Sequence, residues 1–303
     1  MHNFKNAMTA SQIVKVGLVQ MRAESDPDKN LEKALSKVRE AADQGAQVVC
    51  LQELFRSVYF CQKQDARNFD LAEAIPSRTT DVLSELAREK GIVIVAPVFE
   101  KRAEGVYHNS AVVIDADGKL LGTYRKMHIP DDPCFNEKYY FTPGDTGFTV
   151  FETRFGRIAV LICWDQWFPE AARLAALGGA QILFYPTAIG WHEEEAEGVP
   201  ASQMTGWEVV QRGHAVANEL YVAVVNRVGK EGPIHFWGRS FVSNPFGEVL
   251  GLASQDKEEN LIVSCDLSKI EEFRQNWPFL RDRRIDAYGP LSSRFIDQPS
   301  KLT

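Results

Sequence analysis

Hydrophobic residues occur along this chain in two kinds of segment, which are short continuous runs and longer stretches with helical spacing. An apolar run at 14–21 is followed by a stretch in which apolar residues keep i, i+3, i+4 spacing as far as Gly45. Asp26 and Pro27 mark the start of that helix, because an aspartate caps free N–H groups and proline fits the first turn. A helical stretch, a glycine and an apolar run return at 80–98. This alternation of helix and strand predicts an α/β fold.

Other segments are typical of antiparallel strand pairs. Apolar runs at 110–114 and 119–124 flank one turn, and runs at 148–153 and 158–162 flank another. Antiparallel pairs mixed with helix–strand units favour a mixed sheet, or two packed sheets, over a single parallel sheet. Further strands are predicted at 182–185, 221–225, 239–242, 249–252 and 261–266, and further helices at 169–177, 207–219 and 268–275.

The pattern shows no division into separate units. No Gly-, Ser- or Pro-rich linker, charge block or short repeat interrupts the chain, so we interpret residues 1–303 as one domain. Residues 277–303 differ from the rest, since they include the basic cluster of Arg281, Arg283 and Arg284. We interpret this segment as a tail that packs on another surface rather than in the core.

Composition and charge exclude several classes of protein. With 45% hydrophobic and 25% charged residues, the chain can bury a sizeable core, which excludes disordered and fibrous proteins. A net charge of −7 repels a phosphate backbone, so nucleic acid is not an expected partner. The apolar run at 92–99 is far shorter than the ~20 residues of a membrane-spanning helix, and residues 1–12 lack a signal-peptide core. We therefore expect a cytoplasmic protein without membrane contacts.

The cysteines, the histidines and the missing motifs restrict the chemistry. The chain has 5 cysteines and no C-x-x-C pair, which fits neither a disulfide framework nor a zinc ribbon. Phosphate-binding loops, H-E-x-x-H, G-x-S-x-G and dinucleotide fingerprints are not found, and no two of the 6 histidines are spaced i, i+4. We expect neither a metal nor a cofactor.

Three polar residues follow apolar strands directly. Glu53 ends VVCLQE, Lys126 follows LLGTYR, and Cys163 ends RIAVLIC. Singly, these residues have ordinary structural interpretations, namely a surface pair of Glu53 with Arg56, a solvated Arg125–Lys126 pair and a core cysteine. A carboxylate, an ammonium and a thiol beyond buried strands are nevertheless costly to desolvate unless they meet in one polar pocket. Together they predict a catalytic set.

The segments around these residues resemble the nitrilase superfamily of carbon–nitrogen hydrolases. The similarity lies in LQELFRSVYF, GTYRKMHIPDDPCFNEKYYFTPGD and ICWDQWFPEAARLAALGGAQILFYPTAIG, and it extends from about Val14 to about Tyr288. FRSVYFCQ, CWDQWFPE and YPTAIG resemble the N-carbamoylputrescine amidohydrolases of this superfamily more closely than its nitrilases or aliphatic amidases. The resemblance implies a four-layer α-β-β-α sandwich. It also implies dimers or larger homo-oligomers with exchanged C-terminal segments.

The resemblance also implies roles for individual residues. Cys163 would be the nucleophile, Glu53 its base, and Lys126 with the backbone N–H of Trp164 the donors to the oxyanion. Glu137 in NEKYYF would orient Lys126 or the substrate, although its sequence alone is also typical of a surface glutamate. The implied substrate is a small carbamoyl amine, N-carbamoylputrescine. The implied products are putrescine, carbon dioxide and ammonia, released through a cysteine-bound intermediate in polyamine biosynthesis.

Candidate substrate contacts combine aromatic residues for an aliphatic stem with acidic residues for a distal ammonium. The acidic candidates are in a run of three glutamates, in which Glu194 and Glu195 are alternatives to Glu193. Plant-type relatives have a glutamate at the position of His192, which leaves the amine-binding residue open. The residues predicted to contact the substrate are Tyr59, Trp164, Trp167, Trp191, His192 and Glu193.

Two other functions remain as alternatives. A hydrolase for carbamoyl β-amino acids or D-amino acids needs an arginine for the substrate carboxylate, and Arg173 and Arg212 are candidates. A non-catalytic scaffold with the same fold is a different class of protein. The presence of Glu53, Lys126 and Cys163 together disfavours the scaffold.

Overall fold

Two six-stranded β-sheets lie at the centre of the molecule in the computed structural model, which describes residues 12–296. The strands are β1 (Ile13–Gln20), β2 (Val48–Leu51), β3 (Val93–Ala103), β4 (Val106–Ile114), β5 (Leu120–Arg125), β6 (Val150–Thr153), β7 (Gly156–Val160), β8 (Ile182–Thr187), β9 (Gly190–His192), β10 (Tyr221–Asn226), β11 (Val228–Glu231), β12 (Ile234–Trp237), β13 (Phe241–Ser243), β14 (Val249–Leu252) and β15 (Glu259–Asp266). The first sheet has the order β15-β1-β2-β3-β4-β5 and the second β14-β13-β10-β8-β7-β6. Strands β11, β12 and β9 form a small third sheet.

Both large sheets are mixed. In the first sheet β1, β2 and β3 run parallel, and in the second β7, β8 and β10 do, whereas the outer strands are antiparallel. The alternation of helices with strands produces the parallel centres, and the predicted hairpins produce the antiparallel edges β4–β5 and β6–β7. Of the two expected arrangements, a mixed sheet or two packed sheets, the structure has two packed sheets, and each of them is mixed.

Helices cover the outer faces of the two sheets. They are α1 (Pro27–Asp43), α2 (Arg78–Lys90), α3 (Glu137–Tyr140), α4 (Pro169–Leu177), α5 (Val199–Asn218) and α6 (Ser268–Asn276). Helix α1 begins as predicted, because the side chain of Asp26 accepts hydrogen bonds from the N–H groups of Asp28 and Lys29. Helix α2 ends at Gly91, whose φ of +64° suits glycine.

The alternation of side chains along the strands explains the layers. In β2, Val48 and Cys50 belong to the same buried cluster as Leu183 of the second sheet. Val49, between them, belongs instead to the cluster that includes Leu83 of α2. Helices α4 and α5 pack on the other side of the second sheet. The molecule is therefore the four-layer α-β-β-α sandwich that the resemblance implied.

The structure differs from the sequence prediction in two elements. Helix α5 begins at Val199, eight residues before the predicted start at 207. The prediction missed these first two turns because they are largely exposed and carry no apolar stripe. The third sheet was not predicted, since its strands are only three or four residues long and Gly229 and Gly232 interrupt the apolar pattern.

The predicted C-terminal tail is largely exposed where the structure describes it. Between residues 277 and 296, Ile285 is 74% and Phe295 80% exposed. Residues 297–303 of the tail, and residues 1–11 at the other end, lie outside the described part of the chain. That the tail contacts another subunit, and that residues 1–303 form one domain, stay predictions. Within residues 12–296, no helix has the length and apolar character needed to cross a membrane.

Candidate active site

The three polar residues that follow apolar strands lie at the ends of strands from both sheets. Glu53 is two residues beyond β2, and Lys126 directly follows β5 at the same edge of the first sheet. Cys163 begins a short 3₁₀ turn, Cys163–Trp167, just beyond β7 of the second sheet. All three are buried, and Glu53 and Lys126 have no exposed surface. The site therefore lies where the two sheets meet.

A buried lysine joins two buried glutamates. The Nζ atom of Lys126 donates hydrogen bonds of 2.9 Å to Oε1 of Glu53 and 2.6 Å to Oε2 of Glu137. Burial alone lowers the pKa of Lys126, but Glu137 and Glu53 outweigh it, so its pKa is raised and the ammonium keeps its charge. Burial and the charge of Glu53 raise the pKa of Glu137, against the opposing effect of Lys126. The charges of the cluster thus depend on one another.

Two neutral side chains fix the glutamates in orientation. Asn109 Nδ2 donates a 2.7 Å hydrogen bond to Oε1 of Glu53, the same oxygen that Lys126 contacts. The hydroxyl of Tyr59 donates a 2.7 Å hydrogen bond to Oε1 of Glu137. The other carboxylate oxygen of Glu53, Oε2, is buried and has no hydrogen-bond partner within residues 12–296. That oxygen is free to accept a proton.

The thiol of Cys163 lies on a strained turn. Cys163 has a φ of +45°, a left-handed conformation that residues other than glycine seldom adopt. Its side chain is 6% exposed, and Sγ lies 3.9 Å from the carbonyl oxygen of Ala188. Burial and the charge of Glu53 raise the pKa of Cys163 well above its ordinary value, although Lys126 opposes the shift. The resting group at neutral pH is therefore the thiol, and it needs a base.

Asp165 holds this turn in place. It is fully buried, and its Oδ2 atom accepts hydrogen bonds from Ile162 N at 2.8 Å and from the hydroxyl of Tyr124 at 2.7 Å. Its Oδ1 atom accepts one from His128 N at 3.0 Å and lies 2.7 Å from His128 Nδ1. These contacts fix the residues around the thiol. The sequence analysis missed Asp165, although an acidic residue two positions after a candidate nucleophile was the available signal.

A cavity of about 770 Å³ opens onto Cys163. Among the described residues that line it are four carboxylates and no lysine or arginine. Of the predicted substrate contacts, Trp164, Trp167 and His192 are in the lining. The lining residues are Pro130, Asp132, Pro133, Phe135, Glu137, Cys163, Trp164, Trp167, Ala188, Ile189, Gly190, His192, Glu194, Glu195 and Gln203.

The structure places the other three predicted contacts outside this lining. Tyr59 is buried behind Glu137. Trp191 stacks on Trp237 and lines a different cavity. Glu193 is 51% exposed, and its Oε2 atom lies 2.5 Å from Nζ of Lys230. Glu193 therefore does not provide the expected acidic contact within this cavity.

Glu195 has the free oxygen that such a contact needs. Its Oε1 atom accepts a 3.2 Å hydrogen bond from the backbone N–H of His192, which fixes the side chain. Its Oε2 atom is buried and has no hydrogen-bond partner among the described residues. Because Glu195 also lines the cavity, its carboxylate is a candidate contact for a cationic ligand.

The arginines of the alternative function are elsewhere. Arg212 donates hydrogen bonds to the carbonyl oxygen of Gly247 at 2.7 Å and to Glu208 at 3.1 Å. Arg173 lies in α4, and its pKa is lowered by burial and by the charge of Arg283. Neither arginine lines the cavity.

Comparison with known proteins identifies the family. The carbon–nitrogen hydrolase family matches residues 15–275. The chain is 45% identical over 300 residues to an N-carbamoylputrescine amidase from Solanum lycopersicum, which covers 96% of this chain and 99% of the relative. Among solved structures, a carbon–nitrogen hydrolase from Helicobacter pylori G27 superposes with a TM-score of 0.91 at 46% identity, covering 94% of this chain and all of that one.

A more distant structure bears on the cysteine. A mutant of the amidase from Nesterenkonia sp. AN1 superposes with a TM-score of 0.72 at 27% identity, covering 91% of this chain and 95% of that one. That protein shows covalent addition of the acetamide moiety of fluoroacetamide at its active-site cysteine. By its family match, its identity to curated amidases and its fold, the chain belongs to the carbon–nitrogen hydrolases of the nitrilase superfamily and is an amidohydrolase.

Proposed function

We propose that this amidohydrolase converts N-carbamoylputrescine to putrescine, carbon dioxide and ammonia through a covalent intermediate on Cys163. The observation that carries the proposal is the cavity, whose lining includes both Cys163 and Glu195, a carboxylate with one oxygen unpaired among the described residues. A linear molecule with a ureido group at one end and an ammonium at the other matches both features. The 45% identity to the tomato amidase supports the same substrate.

The first chemical step is attack of the sulfur on the ureido carbon. Oε2 of Glu53, which has no hydrogen-bond partner, takes the thiol proton as the C–S bond forms. The negative charge that develops on the ureido oxygen is stabilised by the ammonium of Lys126 and the backbone N–H of Trp164. Such donors act mainly on the transition state, and removal of one typically costs ~3 kcal/mol of activation free energy.

Two further steps complete the reaction. Protonated Glu53 gives its proton to the departing nitrogen, so ammonia leaves and an N-alkylcarbamoyl thioester remains on Cys163. Glu53, again a carboxylate, then removes a proton from water as the water oxygen attacks the thioester carbon. The C–S bond breaks, Glu53 returns the proton to the sulfur of Cys163, and the carbamic acid that is released loses carbon dioxide to leave putrescine. Because the pKa of Cys163 is raised, the thiol does not give its proton to Glu53 in a separate earlier step. The proton moves to Glu53 as the sulfur attacks the ureido carbon.

Glu137 supports this chemistry by holding the lysine. Its Oε2 atom contacts Lys126 and its Oε1 atom accepts the hydroxyl hydrogen of Tyr59, so both oxygens are engaged. Glu137 keeps Lys126 charged and fixed while Glu53 changes its protonation state. This is the orienting role that the resemblance implied for it.

The cavity favours a cation at the far end of the substrate. Trp164, Trp167 and Phe135 offer apolar surface to a chain of methylene groups, and Glu195 accepts the terminal ammonium. A carbamoyl β-amino acid would instead bring a carboxylate into a lining that already holds four carboxylates and, in the described residues, no lysine or arginine. Charge complementarity therefore separates the proposed function from its alternative.

The experiment is ammonia release measured on N-carbamoylputrescine, carbamoyl-β-alanine, a nitrile and a simple amide, with mass spectrometry of enzyme quenched during turnover. We expect kcat/KM to be highest for N-carbamoylputrescine and the quenched enzyme to gain the mass of one N-alkylcarbamoyl group at Cys163. Equal efficiency on carbamoyl-β-alanine would overturn the substrate assignment. Turnover by a Cys163→Ala variant would overturn the covalent mechanism.

A further inference from the structure

A buried arginine lies directly behind the loop that carries Glu53. Arg227 follows β10 in the second half of the chain and has no exposed surface. Its Nη2 atom donates hydrogen bonds to the carbonyl oxygens of Glu53 at 2.9 Å and Leu54 at 3.0 Å. Both terminal nitrogens also lie 3.3 Å from the carbonyl oxygen of Ser57. One guanidinium thus binds three carbonyl groups of the same loop.

This loop has a backbone conformation that needs support. Leu54, the residue after Glu53, has a φ of +48°, which is the left-handed region. A leucine there is strained and persists only where surrounding contacts determine the conformation. Arg227 Nη2 binds the carbonyl groups of Glu53 and Leu54, which belong to the peptide units immediately before and after the strained Leu54.

Arg227 is also connected, through Glu231 and Tyr59, to Glu137 of the reactive cluster. Arg227 Nη1 donates to both oxygens of Glu231, at 2.8 Å and 3.0 Å, so the buried charge is paired. Glu231 Oε2 in turn accepts a 2.5 Å hydrogen bond from the backbone N–H of Tyr59. The hydroxyl of Tyr59 binds Glu137. The guanidinium also packs against the ring of Tyr59, 5.9 Å from its centroid.

We propose that Arg227 is a positioning residue for the hydrolysis. By binding the carbonyl oxygens of Glu53, Leu54 and Ser57, it holds Leu54 in the left-handed conformation and so fixes the direction of Oε2 of Glu53. Arg227 is not among the described residues that line the cavity. The inference rests on the proposed role of Glu53 as proton acceptor. It requires an arginine, because a planar guanidinium donates in several directions at once whereas a lysine acts as a point charge.

The test compares Arg227→Lys with a control, Arg212→Lys, in which a more exposed arginine binds a single carbonyl and a carboxylate away from the site. Two quantities are measured, kcat and KM for the best substrate of the wild type, and the rate at which iodoacetamide alkylates Cys163. Both are measured at a temperature where circular dichroism shows each protein fully folded. A purely stabilising role of Arg227 would leave both quantities unchanged in the folded enzyme.

We expect Arg227→Lys to lower kcat roughly tenfold to a hundredfold with KM changed by less than about threefold, as a misplaced reactive group does. Alkylation of Cys163 should slow in the same variant, and Arg212→Lys should match the wild type. If wild-type Cys163 is no more reactive than the other cysteines, the proposed function fails. If wild-type Cys163 is reactive and Arg227→Lys retains wild-type kcat and alkylation, the inference about Arg227 is overturned.

Glu231→Gln decides the question if Arg227→Lys does not fold. Glutamine keeps the volume of Glu231 and an acceptor for Tyr59 N, but it loses the second charged contact that orients the guanidinium. We expect kcat to fall severalfold with KM unchanged. Wild-type kcat in folded Glu231→Gln would overturn the inference.

Discussion

Replacement of Glu195 by glutamine tests the feature on which the substrate assignment depends. The amide oxygen of glutamine can still accept the hydrogen bond from His192 N, so the side chain should keep its place. The buried Oε2 atom becomes an NH₂ group, which cannot accept a hydrogen bond from an ammonium. The change therefore removes one contact and little else.

The size of the effect follows from the strength of that contact. A hydrogen bond to a charged group contributes ~1.5–3 kcal/mol, which corresponds to roughly tenfold to 150-fold in binding. Glu195 is only partly buried, and Asp132 and Glu194 in the same lining continue to attract a cation. We therefore expect KM for N-carbamoylputrescine to rise by roughly tenfold, near the lower limit of that range. Since the contact is the same in ground and transition states, kcat should change little.

A matched substrate isolates the charge. N-Pentylurea has a methyl group where N-carbamoylputrescine has its ammonium, and the two are otherwise of equal length. Steady-state ammonia release by wild type and Glu195→Gln on both substrates gives a double-mutant cycle between the carboxylate and the ammonium. Glu193→Gln is the control variant, since Glu193 pairs with Lys230 outside the cavity.

The reasoning is refuted by either of two results. One is an equal change of KM on both substrates, because the carboxylate would then not interact with the ammonium. The other is a larger effect of Glu193→Gln than of Glu195→Gln, because the exposed glutamate would then be the amine-binding group.

Three further predictions concern the reactive cluster. Cys163→Ala should have no measurable ammonia release while its far-UV circular dichroism and melting temperature stay close to those of the wild type; residual turnover in protein free of wild-type carry-over would contradict this. Lys126→Ala leaves Glu53 and Glu137 buried without their shared cation, so the free energy of unfolding should fall by ~3–5 kcal/mol, as measured by urea denaturation. Because an unpaired buried carboxyl group has a raised pKa, that variant should regain stability as the pH falls toward 5, and a loss of stability over the same range would refute the assignment. Since burial raises the pKa of Cys163 well above its ordinary value, the thiol keeps its proton through neutrality and kcat/KM should not decline between about pH 6 and about pH 8; a decline centred near pH 7 in the wild type would contradict the prediction.

Most of the fold could be predicted from the sequence, because apolar residues follow the spacing that is typical of buried strands and of surface helices. The continuous runs of β2 and β8 and the helical stripe of α1 identify buried strands and a surface helix directly. The start of α5 could not be predicted, since its first turns pack against little and so leave no apolar stripe in the sequence. Short strands such as β9 are determined by pairing with distant segments rather than by local pattern.

The candidate site was predictable only where residues follow strands. Glu53, Lys126 and Cys163 stand out because polar groups end apolar runs. Asn109 is in the middle of β4, and only the strand pairing shows that its side chain reaches Glu53. Arg227 is 174 positions from Glu53, and no local pattern connects them.

The run of three adjacent glutamates shows a different limit of prediction from sequence. The backbone N–H of Glu193 is bound to the carbonyl of Pro233, and the turn that follows directs Glu193 to Lys230 and Glu195 into the cavity. Which of these identical side chains line the cavity depends on this turn, and Glu194 and Glu195 do. Sequence reasoning identified the run but named Glu193, with the other two as alternatives.

The division of the reactive groups between the two sheets also has a consequence for folding. Glu53 and Lys126 are on the first sheet and Cys163 is on the second, so each sheet alone has an incomplete set. During refolding, secondary structure can form in both sheets before any activity exists. The return of amidase activity then requires that one sheet has docked on the other, whereas circular dichroism reports the formation of strands in either sheet. Ammonia release thus measures the correct docking of the two sheets without an added label.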